Sequence, residues 1–167
     1  MTGSINFFFH LIGIGLIFTS LIGGWILERR LRSENDWSQK LVIEKIGKGF
    51  GLLTPFAAIL LLLTGIINIF NIYNGNINIW YTEGWLVAKI ILYTFLLVNG
   101  AIFGPIIIRR RKRMIKSIVD KTAFADAESN FSILTKSITT FYLVQSIIVI
   151  IILYISIIGG GKHPGFF

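Results

Sequence analysis

At 167 residues the chain is short enough for a single domain, covering residues 1–167, and its composition points away from a water-soluble protein. Hydrophobic residues make up 54% of it and charged residues only 14%, with a mean hydropathy of +0.75. No cysteine is present, which excludes disulfides, thiolate-held metals and iron–sulfur clusters. The net charge of +8 does not indicate nucleic-acid binding, because the basic residues cluster beside apolar segments, as membrane orientation and anionic lipid headgroups require.

The first apolar segment, residues 5–27, exceeds the roughly 20 residues that a helix needs to cross hydrocarbon. Its positive charges follow it, in the segment 28–32, whereas a cleavable signal peptide carries them in front. This order predicts an uncleaved helix whose N-terminus lies outside. Residues 28–49 are polar and predict a cytoplasmic connection, in which Asp36 or Ser38 caps a helix that leads into the next span.

The second predicted span is residues 50–70, in which Pro55 should either bend the helix or lie in its first turns. The connection that follows, residues 71–83, contains no Lys or Arg and is expected outside. It includes the turn signal Asn74-Gly75, and its alternating pattern is compatible with a short hairpin.

The third predicted span is residues 85–108, with Trp85 at one membrane interface and a run of basic residues directly after the other end. Residues 109–136 form a basic cytoplasmic connection, which includes a helix-favouring sequence at 123–128. The fourth span is residues 137–158, and a glycine-rich tail follows it outside.

Basic residues decide the predicted orientation. Fourteen of the sixteen Lys and Arg residues lie in the two connections assigned to the cytoplasm. We therefore expect an all-α integral membrane four-helix bundle in a bacterial inner membrane, with both termini on the outer side.

Three polar side chains reach the same predicted depth in this bundle. His10 lies about five residues into the first span, or roughly 7 Å at 1.5 Å per residue, and Lys89 lies roughly 6 Å past Trp85. Asn68, near the end of the second span, and Thr64, one turn deeper, arrive at a similar height. We therefore expect a pocket in the outer half of the bundle that contains His10, Asn68 and Lys89.

Spacings of about 3.5 residues place polar and small residues on one face of each span, which should point into the bundle. The four predicted stripes are His10, Gly13, Ile17, Ser20 and Gly24; Thr54, Ala58, Leu61, Gly65 and Asn68; Lys89, Leu92, Leu96, Asn99 and Phe103; and Thr135, Thr139, Tyr142 and Ser146.

Structural roles for these polar residues stay open. A lysine near the end of a span can extend its ammonium to the headgroups while its stem stays in hydrocarbon. A histidine at the same depth can simply hydrogen-bond a backbone carbonyl. Both interpretations compete with a binding site.

Among cofactors, haem b suits these residues best. A neutral imidazole inside a four-helix bundle can be an axial haem ligand, and an adjacent ammonium can pair with a propionate. His10 is then the metal ligand, with Lys89 and Asn68 as cofactor-binding residues. A copper site is poorly supported, because the chain has no cysteine and only two methionines as soft ligands, and a zinc site needs more ligands than two histidines supply. Proton pumping normally needs a carboxylate at mid-depth, whereas the glutamates here lie at the edges of the spans.

The layout resembles that of HemJ-type protoporphyrinogen oxidases and related CopD-like four-helix membrane proteins. His10 lies where that family has its haem-linked histidine, and Trp85-Leu86-x-x-Lys89 resembles the family's W-L-x-x-K. The resemblance implies that His10 and Lys89 serve haem binding and the oxidation of protoporphyrinogen IX, with Lys89 as the catalytic residue.

The second span carries a further likeness, because Glu44 followed by Thr54-Pro55 is similar to the family's acidic residue and T-P pair. The fourth span departs from the family, since residues 137–146 replace its Asn-Glu-x-Pro element.

Two functions remain open from the sequence. The first is a haem- or tetrapyrrole-binding membrane protein, which, if it is an enzyme, is an oxidoreductase acting on a porphyrinogen. The alternative is a non-enzymatic accessory or assembly subunit of a larger membrane complex or homo-oligomer, with the lipid bilayer as its surroundings. A small transporter lacks the expected mid-membrane charges.

Overall fold

Five α-helices make up the computed structural model, which describes residues 2–75, 81–122 and 127–160. In chain order they are α1 (Thr2–Ser33), α2 (Trp37–Ile72), α3 (Gly84–Val98), α4 (Gly104–Val119) and α5 (Ala127–Gly160). A π-helical turn, Asn99–Phe103, joins α3 to α4 without a break. Parts of the predicted hairpin, of the helix-favouring sequence at 123–128 and of the C-terminal tail lie outside the described residues.

The structure confirms an all-α membrane protein with four spans. Ser4–Ser33, Trp37–Asn71, Gly84–Val119 and Ala127–Gly159 are each long and apolar enough to cross a membrane, with mean hydropathies from 2.0 to 2.6. The described part of the chain contains no β-strand. The chain is therefore a multi-pass membrane protein built as a four-helix bundle.

The helices extend beyond the apolar spans into the predicted connections. Only residues 34–36 separate α1 from α2, so the polar segment before the second span is largely helical. Asp36 caps α2, because its side chain accepts a hydrogen bond from the Ser38 backbone N–H at 2.8 Å. The predicted lead-in helix is confirmed, and Pro55 consequently lies in the interior of α2 rather than in its first turns.

Contacts at both ends show that α1 and α2 run antiparallel. Near the start of α1, the Asn6 side chain donates to Asn68 of α2 at 2.6 Å. Near its end, Glu28 of α1 and Glu44 of α2 share Arg111 as an ion-pair partner. We call the end of the bundle at which α1 begins the upper end, and the end at which α1 finishes the lower end.

The predicted stripe of α1 does face the interior. Four of its members are buried: Gly13, Ile17, Ser20 and Gly24. The Ser20 and Thr54 hydroxyls lie 2.7 Å apart, joining two predicted stripes. Gly24 has no room for a side chain, since a Cβ there would lie 2.5 Å from the Tyr142 ring.

The predicted stripe of the third span is wrong at Phe103, which is 55% exposed. The π-helical turn holds one extra residue, so the face that follows it is rotated by about 100° relative to an uninterrupted α-helix. Gly104 takes the buried position instead and packs against Phe141, 2.8 Å from the place of a Cβ.

Three charged residues meet in the interior of the lower end. Arg111 of α4 donates to Glu28 at 2.5 Å and to Glu44 at 2.9 and 3.3 Å. All three are 5% exposed or less. The run of basic residues after the third span is expected at the membrane surface, but Arg111 shares the buried face of α4 with Gly104 and Ile115. The cluster joins α1, α2 and α4.

Replacing Arg111 by Met should therefore destabilise the protein by roughly 3–5 kcal/mol, because two carboxylates would stay buried without a counter-charge. The free energy of unfolding in mixed detergent micelles measures this effect. Arg110→Met is the matched control, since Arg110 is exposed on the same helix. Equal losses of unfolding free energy in the two variants would contradict a structural role for the cluster. Adding Glu28→Gln and Glu44→Gln to Arg111→Met should restore part of the stability, because the unpaired carboxylates are then removed.

Candidate functional site

A cavity of about 320 Å³ lies in the upper half of the bundle between α1, α2, α3 and α5. His10, Asn68 and Lys89 all line it. The three residues that the sequence places at one depth are thus brought together at one cavity. Most of the remaining wall is aliphatic and aromatic, and the core residues Ile17 and Leu96 form part of its lower border.

The imidazole of His10 is oriented by α2. Its Nδ1 lies 2.8 Å from Thr64 Oγ1, and that hydroxyl lies 2.7 Å from the Leu60 carbonyl oxygen. Because a carbonyl can only accept, we infer that the Thr64 hydroxyl donates to Leu60 and that His10 Nδ1–H donates to the Thr64 oxygen. The hydrogen-bond partner of His10 is therefore the Thr64 hydroxyl, and not a backbone carbonyl as a purely structural role would suggest.

This arrangement leaves His10 Nε2 as the free nitrogen of the ring. In the neutral imidazole it carries the lone pair, and it makes no hydrogen bond to any described residue. Metal-binding histidines are typically held in this way, with one ring N–H donated to a neighbour and the other nitrogen facing the metal.

Asn6 connects His10 and Asn68 to one network. It is 7% exposed, and its Nδ2 donates both to Asn68 Oδ1 and, at 3.1 Å, to the Thr64 carbonyl oxygen. Since the Asn68 oxygen already accepts from Asn6, the amide nitrogen of Asn68 remains as the donor that the cavity wall can offer.

Lys89 has no such partner. It is half-buried in the cavity wall and makes neither an ion pair nor a hydrogen bond with any residue in the described ranges. It lines the same cavity as His10. Placing an ammonium group in an apolar wall is costly unless an anion or a strong acceptor compensates it. The cavity is therefore suited to a ligand with a negative charge.

A metal ion held by protein side chains alone does not fit this site. Within the described residues no group of three or more His, Cys, Asp or Glu could hold one. A metal bound at His10 would have to bring its remaining ligands with it, as a metal in a macrocycle does.

Sequence reasoning missed Asn6 entirely, and it placed Thr64 at the right height without giving it a role. The available signal was the spacing of four residues from Asn6 to His10 and from Thr64 to Asn68, which puts each pair on one helix face. The ion cluster of Glu28, Glu44 and Arg111 was also missed, because its members lie in segments with the composition of polar connections.

Comparisons of the chain with protein-family models, with curated proteins and with solved structures gave no match. The resemblance to HemJ-type proteins therefore stays a prediction from short motifs.

The tautomer of His10 is directly testable by ¹⁵N NMR of histidine-labelled protein in lipid. We expect the proton on Nδ1 and the shift of an unprotonated nitrogen at Nε2. Thr64→Val removes the acceptor while keeping the shape of the side chain, so it should produce a mixture of tautomers. His163→Gln leaves His10 as the one histidine signal, and a proton on Nε2 in the Thr64-containing protein would contradict this orientation.

Proposed function

We propose that the cavity binds a tetrapyrrole with anionic side groups, haem b being the first candidate. His10 Nε2 would be the axial ligand of the iron, Lys89 would pair with a propionate, and Asn68 would donate a supporting hydrogen bond. The observation that carries the proposal is one apolar cavity with an oriented imidazole and an unpaired ammonium in its wall.

The chemistry of the donor set favours a macrocycle over a bare ion. A porphyrin supplies four nitrogen ligands, so a single protein imidazole is enough to hold its iron. The cavity volume of about 320 Å³ lies at the lower end of the range of roughly 300–1,000 Å³ that is usual for small-molecule sites. The aliphatic wall matches the apolar faces of a porphyrin. The carboxylates of such a ligand lie at the edge of the ring, where one of them could pair with Lys89 in the cavity wall.

When bound, an iron porphyrin would supply a redox centre, while the protein would hold and orient it. If the site acts on a porphyrinogen, we propose oxidation to the porphyrin, in which the hydrogen lost from the macrocycle would pass as protons and electrons to an oxidant supplied from outside the chain. For this substrate, a porphyrinogen carboxylate rather than a haem propionate would be the anionic partner of Lys89, which is then the residue we assign to catalysis. The matching pair His10 and Trp85-Leu86-x-x-Lys89 supports this extension.

We also propose that the upper end faces the outside of a bacterial inner membrane. The distribution of charge supports this orientation, because fourteen of the sixteen Lys and Arg residues lie in the two connections at the lower end. The proposed site would then lie in the outer half of the bilayer.

Haem binding predicts a Soret absorption band for the purified protein after addition of haemin. His10→Ala should move the Soret band away from the position that axial ligation by histidine produces, because no other described histidine lines the cavity. Lys89→Met should weaken binding by about 1.5–3 kcal/mol, or roughly 10- to 150-fold in Kd, by removing a charged hydrogen-bond donor. Lys89→Arg should keep most of the affinity.

His163→Ala serves as the comparison, since His163 is the other histidine in the sequence and belongs to none of the predicted stripes. A protein without any Soret band, in which His10→Ala behaves like the parent, would contradict the proposal. If that protein also migrated with stoichiometric partners after mild solubilisation, the accessory-subunit alternative would be favoured.

A further inference from the structure

The helices on two sides of the cavity separate at the upper end. α2 packs closely against α1 and α4, and α3 packs against α5, but α2 and α3 make few close contacts with each other. The cavity is accordingly only partly enclosed, and residues of α2 and of α3 form facing walls.

Side chains at this separation face both the cavity and the surroundings. Leu62 and Ile66 of α2 line the cavity and are 44% and 46% exposed, and Thr94 of α3 is a lining residue that is also exposed. We call the gap between these three residues the lateral opening. Its rim is apolar, because the Thr94 hydroxyl donates to the Ile90 carbonyl of its own helix at 2.9 Å.

The lateral opening lies within the membrane-spanning part of α2. At its lower side the Tyr93 hydroxyl donates to the Ala58 carbonyl oxygen and joins α3 to α2. From Ala58 to Ile69, the last α2 residue in the cavity wall, the helix rises about 16 Å. All of this length lies within the apolar segment 50–70 that the sequence predicts as the second span, so we expect the rim to face hydrocarbon rather than water.

We propose that the ligand is an amphiphile dissolved in the bilayer and that it enters sideways between α2 and α3. An apolar rim in hydrocarbon favours passage of an apolar body, whereas Lys89 inside the cavity holds the anionic group that follows it. This inference rests on the proposed function and narrows it. The cavity exchanges its tetrapyrrole with the membrane, not with the aqueous phase above it.

Bridging the lateral opening tests the route. The chain has no cysteine, so Leu62→Cys with Thr94→Cys gives a pair of thiols that a flexible bifunctional methanethiosulfonate can join and that a reductant can release. The protein is placed in phosphatidylcholine vesicles, haemin is added to the lipid, and the Soret band is followed over time. The two single-cysteine variants carry the same reagent without a bridge and are the matched controls.

We expect the bridge to slow haemin loading by at least about tenfold, the factor that roughly 1.4 kcal/mol of added barrier produces. Release from protein that was loaded before bridging should slow by a similar factor, and reduction should restore both rates. The single-cysteine controls, which carry the same reagent at the rim without a bridge, give the rates with which the bridged protein is compared.

Unchanged loading and release in the bridged protein would overturn the lateral route while leaving haemin binding intact. Absence of His10-dependent haemin binding in the parent would overturn the proposed function and the route together. Should the first pair lose binding before it is bridged, Ile66→Cys with Ile90→Cys provides a second bridge across the same opening, judged by the same two rates.

Discussion

The ion cluster at Arg111 is the interaction on which the arrangement of the bundle depends. Arg111 meets Glu28 and Glu44 in the buried interior of the bundle, where loss of any one of the three would leave charge buried without its partner. α2 is thereby held against α4 at the lower end. Among the described residues no comparable interaction joins α2 to α3 higher up, apart from the hydrogen bond of Tyr93 to Ala58. The cavity lies above the ion cluster, where the cluster no longer holds α2 against its neighbour.

The two ends of the bundle differ in whether their buried polar groups have bonding partners. At the lower end every member of the ion cluster has its counter-charge. At the upper end hydrogen bonds join Asn6, Asn68, Thr64 and His10, whereas the Lys89 ammonium and the His10 Nε2 do not bond to a described residue. Unsatisfied polar groups in an apolar cavity are a stability cost that a ligand can remove. This contrast is why the upper cavity, and not the ion cluster, is the better candidate for binding.

The number of membrane spans and the depth of the site residues could be predicted from the sequence, because each depends only on distance along one helix. The number of apolar residues between polar ends determines whether a segment can cross a membrane, and it predicts four spans. A constant rise per residue converts sequence position to height, and this conversion alone brings His10, Asn68 and Lys89 to one level. Orientation in the membrane and the resemblance to HemJ-type proteins remain predictions.

The sequence by itself therefore determined the helical class, the number of spans, the start of α2 near Asp36 or Ser38 and the level of the candidate site. Only the tertiary structure decided which neighbours meet: that Arg111 turns inward, that Asn6 holds Asn68, that a π-helical turn moves Phe103 outward, and that α2 and α3 part beside the cavity. The physical reason is that local periodicity describes one helix about its own axis. Pairing depends on the rotation and packing of each helix against the others, which no single segment contains.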